Sequence, residues 1–335
     1  MKRVVIGVLG TVVALTAAVI FSVRLSPWPS LAIVTYFLSF GDRASDAALE
    51  SRVPAGIVSQ LDIPYGSVKD EVFDVYHRAG LPARPAIVWV HGGAFVSGSK
   101  SGVANYLKIL ASRGYTTIAV EYSKGPGVTY PKPIEQVNAA LGFVVRHAAD
   151  LDVDPATILL AGDSAGAHIA GQLALITTDP AYAREVGIVP QLTPAQLTAT
   201  LLLSGVYDPA ALNLGGTYGW FNNAVMCAYS GVRNFRDDDH FKFTSITRYV
   251  TGTFPQTFIS SGNADPLAPQ AVALAGRLHE MGVHVDTLFF PSDQRPRLRH
   301  EYQFNLNNAA GQEALRRIWA FLDGTVSLAS RRSDP

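Results

Sequence analysis

The chain has 335 residues, 48% hydrophobic and only 16% charged, with 27 basic residues matched by 27 acidic ones. Charged residues fall below the roughly 25% of an ordinary soluble domain, which excludes intrinsic disorder, and zero net charge excludes the basic face of a nucleic-acid-binding protein. A lone cysteine, Cys227, excludes a disulfide framework and any multi-cysteine metal cage.

Much of the apolar excess sits first. Residues 4–23 carry no charge and follow Lys2 and Arg3. At about 1.5 Å per residue a helix over this run covers roughly 30 Å, the hydrocarbon thickness of a bilayer. It reads as an N-terminal transmembrane helix, a membrane anchor within residues 1–24, with a cleaved secretory signal as the alternative. Against cleavage, the small-residue site Thr16-Ala17-Ala18 lies inside the apolar run. Under either reading Lys2 and Arg3 stay cytoplasmic, so the remaining chain is extracytoplasmic, either anchored or secreted. That remainder loses three basic residues and is mildly acidic, with 24 basic against 27 acidic residues. Within a juxtamembrane segment, 25–60, a second apolar run at 31–40 is too short to span a bilayer. It is expected to dock on the folded domain or lie at the membrane surface.

From about residue 56 short β-rich runs alternate with helical stretches, the pattern of a mostly parallel central sheet with helices on both faces, an α/β class. The strand candidates are 86–90 (AIVWV), 116–121 (TTIAVE), 157–161 (TILLA), 199–204 (ATLLLS), 257–260 (TFIS) and 283–290 (VHVDTLFF). Helices are expected at 103–112, 133–149, 165–177, 269–280 and 311–322. One stretch, 206–254, breaks the alternation. It is rich in glycine, asparagine and aromatics such as Tyr207, Trp220, Tyr229 and Phe241, and reads equally as a cap-like binding insertion or a small core of its own. Residues 326–335 read as a polar tail.

The chemistry concentrates after the strands. Gly162-Asp163-Ser164-Ala165-Gly166 follows TILLA and enters an apolar helix, a G-x-S-x-G turn that exposes a serine hydroxyl in a strained backbone. His91-Gly92-Gly93-Ala94-Phe95 follows AIVWV; backbone N–H groups of Gly92 and Gly93, with that of Ala165, are placed to receive a developing oxyanion. A serine needs a base, and the base needs an orienting carboxylate. Asp265, after TFIS, and His300, after VHVDTLFF, complete the order Ser, Asp, His. Asp208 is a rival acid one strand too early. Asp293 and Glu301 stand too near the histidine in sequence and read as surface acids. His168 reads as a packed helix residue and His91 as a brace for its own loop. Asp237-Asp238-Asp239-His240 reads as a solvated charge run; no zinc or calcium spacing occurs, so no metal is expected.

With HGGAF, GDSAG, the Asp265-Pro266-Leu267 sequence and His300 in this order, residues 60–325 resemble the hormone-sensitive-lipase-type carboxylesterases of the α/β-hydrolase superfamily. The resemblance implies an α/β-hydrolase domain over about 61–325. It also implies Ser164 as nucleophile, His300 as general base and then acid, Asp265 as orienter, and no cofactor. The implied partner is a small-molecule or lipid ester, cleaved through an acyl-enzyme. Ala94 replaces the third glycine of the usual HGGG, and the aromatic insertion is unlike the family's helical N-terminal cap. Acyl transfer to another alcohol, amide hydrolysis, or a silent scaffold used for binding are the alternative readings of the same residues. The oligomeric state and the natural ester are not legible.

Overall fold

The computed structural model describes residues 31, 35–36, 45–81 and 84–333, with side chains to residue 327. The expected membrane anchor at 4–23 lies outside the described residues. Among the described residues no helix is long and apolar enough to cross a membrane.

Eight strands form one sheet: β1 (Ile57–Pro64), β2 (Val72–Arg78), β3 (Arg84–Val90), β4 (Thr116–Val120), β5 (Val153–Asp163), β6 (Leu197–Leu203), β7 (Gln256–Ser261) and β8 (Val285–Phe289). Their order is β1-β2-β4-β3-β5-β6-β7-β8. The pairs β1/β2 and β2/β4 are antiparallel, and every later pair is parallel. All six expected strands occur within a few residues of their expected limits. The two antiparallel strands at one edge were not expected. β1 is partly or fully exposed along its length, so it carries no alternation of apolar and polar residues.

The helices are α1 (Ala104–Ala111), α2 (Lys132–Arg146), α3 (Ser164–Thr178), α4 (Pro180–Val186), α5 (Gly219–Ser230), α6 (Ile246–Tyr249), α7 (Ala268–Glu280) and α8 (Ala309–Ser333). Five were expected. The short α4 follows α3 directly, started by the Asp179 side chain, which accepts from the N–H groups of Ala181 and Tyr182. α8 runs on to Ser333, through the segment expected as a tail.

Successive strand residues face opposite sides, so the sheet has two cores. Ala86, Val88 and Val90 of β3 pack with Ile134 and Leu141 of α2 and with Ile169 and Leu173 of α3. Ile87 and Trp89 face the other way, onto Tyr106 and Leu110 of α1 and Ile318 and Leu322 of α8. Burial on both faces explains why β3 and β5 read as continuous apolar runs. Phe235, Phe241, Tyr229 and Ile246 of the 206–254 insertion join the α2/α3 core, so the insertion is continuous with it and is no separate satellite. Leu31 is buried in the same core, and Thr35 exchanges side-chain and main-chain contacts with Val96 and Ser97. The described part of the 31–40 run therefore docks on the domain.

α3 approaches β3 very closely. A β-carbon on Gly166 would stand 1.9 Å from the Val90 carbonyl oxygen, a backbone atom that cannot swing aside. Gly276, exposed in α7, meets nothing within 4 Å. Gly166→Ala is expected to lower the free energy of unfolding by about 3 kcal/mol or to prevent folding, whereas Gly276→Ala raises it by about 0.5–1 kcal/mol through helix propensity. Equilibrium urea unfolding measures both, and equal effects at the two positions would contradict the packing argument.

Candidate active site

Ser164 is the first residue of α3, directly after Asp163 ends β5. Its backbone sits at φ 50, the left-handed region that a β-carbon disfavours. The turn is possible because Gly162 and Gly166 lack side chains: a β-carbon on Gly162 would stand 2.5 Å from the Gly166 carbonyl carbon. The strain lifts the hydroxyl off the end of the sheet, at the N-terminus of a fifteen-residue helix whose dipole favours negative charge.

The three residues expected to act together are in contact. Ser164 Oγ lies 2.9 Å from His300 Nε2, and His300 Nδ1 lies 3.0 Å from Asp265 Oδ2. Asp265 is buried, and it also accepts from Ser261 Oγ and from the Leu267 N–H, each at 2.9 Å. Burial works against its charge, but the hydrogen bond and charge of His300 bring its carboxyl below the ordinary value. Burial likewise works against an imidazolium at His300, yet the charges of Glu301 and Asp265 outweigh it and raise His300 to about 9.

The loops carrying Asp265 and His300 are tied together by Asn263. Its Oδ1 accepts from the Leu298 N–H at 2.8 Å, and its amide donates to Pro291 O at 3.1 Å, while the Ala264 N–H donates to Leu298 O at 2.8 Å. Asn263 and Ser261 both lie in the S-G-N-A-D sequence that pointed to Asp265, but nothing in that string announces a contact with residues 291–298.

The glycine loop departs from expectation at one residue. The Gly92 N–H donates to Asp163 Oδ2 at 2.8 Å and so is committed within the fold, which removes it from the expected oxyanion donors. Gly93, at φ 112, and Ala165, the residue after the serine, are the two that stay candidates. The backbone continues through left-handed Ala94 and Phe95 at φ 54 and 61. His91 braces this loop as expected: Nδ1 lies 2.7 Å from Gly92 O, Nε2 lies 3.3 Å from Glu121, and the ring stacks on Tyr122, whose hydroxyl donates to His91 O. Asp163 also accepts from Trp89 Nε1 at 2.7 Å; burial and the neighbouring Glu301 charge push its carboxyl well above the ordinary carboxylate range.

The rivals are placed elsewhere. Asp208 caps a single helical turn, accepting from the Ala210 N–H. His168 is fully buried with Nδ1 2.8 Å from Val206 O, and burial lowers it to about 4. Asp238 accepts from the N–H groups of His240 and Phe241, and Asp239 pairs with Lys242. Glu301 is the correction. Expected as a surface acid, it reaches into the site instead, with Oε1 3.6 Å from His300 Nε2.

Phe95 stacks on Tyr229 of the insertion, ring centroids 3.8 Å apart, and meets His168 edge-on. Tyr130 and Phe241 close against the other edges of Tyr229. An aromatic wall therefore stands directly beside the glycine loop.

The chain is similar to known proteins to differing extents. Esterase LipQ of Mycobacterium tuberculosis is 31% identical over 219 residues, 64% of this chain and 51% of LipQ, so the chain spans about half the length of that relative. An acetyl esterase of Salmonella choleraesuis is 25% identical over 76% of each chain. The solved structure of esterase B from Lactobacillus rhamnosis superposes with a TM-score of 0.75 at 22% identity, covering 95% of this chain and 98% of that one, a likeness of fold. Residues 73–278 match the BD-FAE family, a segment that holds the glycine loop, Ser164 and Asp265 and ends before His300. More than half of the chain lies within that match, and it belongs to the BD-FAE family, hormone-sensitive-lipase-like α/β-hydrolases.

Proposed function

We infer that the chain is a serine carboxylic ester hydrolase acting through an acyl-enzyme. The observation that carries this reading is the unbroken line of contacts from Ser164 Oγ through His300 to the buried Asp265. Esterase relatives support the same class of substrate. In the proposed reaction the Ser164 hydroxyl attacks the ester carbonyl as His300 Nε2 takes its proton. Asp265 holds the imidazole in the tautomer that leaves Nε2 free to accept, and stabilises the imidazolium. The N–H groups of Gly93 and Ala165 receive the oxyanion, each worth about 3–4 kcal/mol in the transition state. His300 then gives the proton to the departing alcohol, and a water repeats the sequence to release the acid. A short acyl group is the first substrate to try, since the Phe95–Tyr229 stack stands beside the loop and a relative is named an acetyl esterase.

Ser164→Ala is expected to abolish hydrolysis of a p-nitrophenyl acetate-type ester above the uncatalysed rate. Asp265→Asn lowers kcat by roughly 10⁴-fold through the wrong tautomer, while Asp208→Asn stays within a few-fold of the parent. Steady-state kinetics on the three variants decides; full turnover by the serine variant removes the mechanism, and inactivity of Asp208→Asn alone moves the acid.

Residues 4–23 form the membrane anchor in this proposal, with the hydrolase domain outside the cytoplasm. The supporting observation is the uncharged run itself, preceded by Lys2 and Arg3. The full chain is then expected in the membrane fraction and digested by protease added to intact cells; a domain protected until lysis reverses the orientation.

A further inference from the structure

Glu301 directly follows the base and is held at φ 57 and ψ 33, again in the left-handed region. Its N–H donates to Ser204 Oγ at 3.3 Å, and its carboxyl turns back into the site. Oε1 stands 3.6 Å from His300 Nε2, the same nitrogen that reaches Ser164 Oγ. The carboxyl also hydrogen-bonds that of Asp163. A β-carbon on Gly92 would lie 2.4 Å from Asp163 Oδ2 and 3.0 Å from Glu301 Oε1, so both carboxyl groups crowd under the start of the glycine loop.

Two ionised carboxylates in such contact repel strongly, and their hydrogen bond requires a proton between them. Asp163 has an oxygen occupied by Trp89 Nε1–H and another by the Gly92 N–H. The groups facing the pair are few. His91 and Tyr106 lie on the Asp163 side, and His300 with Asp265 lies on the other.

We propose that Glu301 is a positioning residue, a second carboxylate partner of His300 that shares one proton with Asp163 across the base of the oxyanion loop. The proposal rests on His300 being the general base. When His300 takes the Ser164 proton, the shared proton shifts towards Asp163, which leaves the negative charge on Glu301 beside the new imidazolium. The Ser164 proton is the one that enters the group of three; the proton between Asp163 and Glu301 only changes place, and none is released. In the resting enzyme the same carboxylate raises the pH at which His300 Nε2 loses its proton and becomes free to act as a base. Because a base acts only when unprotonated, activity falls as pH drops through the His300 titration, which the neighbouring charges have moved upwards. Removing the Glu301 charge moves that fall to lower pH.

The test uses the full chain, Glu301→Gln and Glu301→Gly; glycine fits φ 57 without strain, so folding does not depend on the first variant. Proton NMR follows the low-field Nδ1–H of His300 against pH with no substrate present. Its titration midpoint is expected to fall by about one pH unit or more in both variants, and the acidic limb of kcat/KM for a short p-nitrophenyl ester is expected to fall with it. Midpoints equal to the parent's in both variants would overturn the proposal. If the parent cleaves no ester, the functional reading fails, while the NMR midpoints still decide the role of Glu301.

Discussion

The first turn of α3 lies so close to the end of β3 that Gly166 has no room for a β-carbon, and the rest of the site follows from that contact. β3 and β5 are adjacent and parallel, with Val90 paired to Gly162. Their carboxyl ends therefore open side by side, which brings the glycine loop after β3 against the serine turn after β5. Donors from two segments about seventy residues apart in sequence can then address one oxygen atom. Asp163 fastens the two together, receiving Trp89 Nε1–H from β3 and the Gly92 N–H from the loop. A buried carboxylate is costly alone; here its acceptors are occupied and its charge is moderated by a proton shared with Glu301.

The opposite half of the site is built by the strands that follow. β7 and β8 are parallel neighbours, so the loop bearing Asp265 and the loop bearing His300 leave the same end of the sheet. Neither loop has regular structure to hold it. Asn263 supplies the restraint, spanning to Pro291 and Leu298 with both ends of its amide, and Gly262 permits the approach because a β-carbon there would meet Leu298 O at 2.4 Å. The histidine thus arrives at the serine on a brace made by one side-chain amide and the Ala264 N–H acting on the backbone of 291–298, which locks the supporting loop.

The sequence was most legible where burial is complete. Strands covered on both faces must be continuously apolar, and two of them, β3 and β5, run into the glycine-rich turns of AIVWV-HGG and TILLA-GDSAG, so those strings announce position and the role proposed for them. β1 escaped because an exposed edge strand need not alternate. β2, which is buried, escaped because it holds the polar residues Asp74 and His77, which break an apolar run; Asp74 accepts from the Tyr76 hydroxyl and the Asp62 N–H, and His77 Nδ1 lies 3.5 Å from Asp152. Asp163 and Glu301 escaped for a different reason. Each looked ordinary beside a stronger neighbour, Ser164 or His300, and only the folded chain brings residues 163 and 301 together. Gly92 was misjudged because a glycine loop read as sequence offers every N–H equally, whereas folding commits one of them to a carboxylate.

The glycine loop is clamped from two sides, and this couples the chemistry to the aromatic insertion. On one side His91 bonds Gly92 O and Glu121 and stacks on Tyr122. On the other, Phe95 is driven to φ 61 and stacked flat on Tyr229, which belongs to α5 of the insertion and is itself held by Tyr130 and Phe241. A loop held this way needs little reorganisation when charge develops on a bound oxygen, the condition under which backbone dipoles stabilise it most. The same packing means that the insertion cannot be remodelled for a larger acyl group without moving Phe95, and Phe95 cannot move without disturbing the Gly93-Ala94 backbone that precedes it. In the proposed reaction, substrate range and oxyanion geometry then depend on one set of contacts, centred on the Phe95–Tyr229 stack.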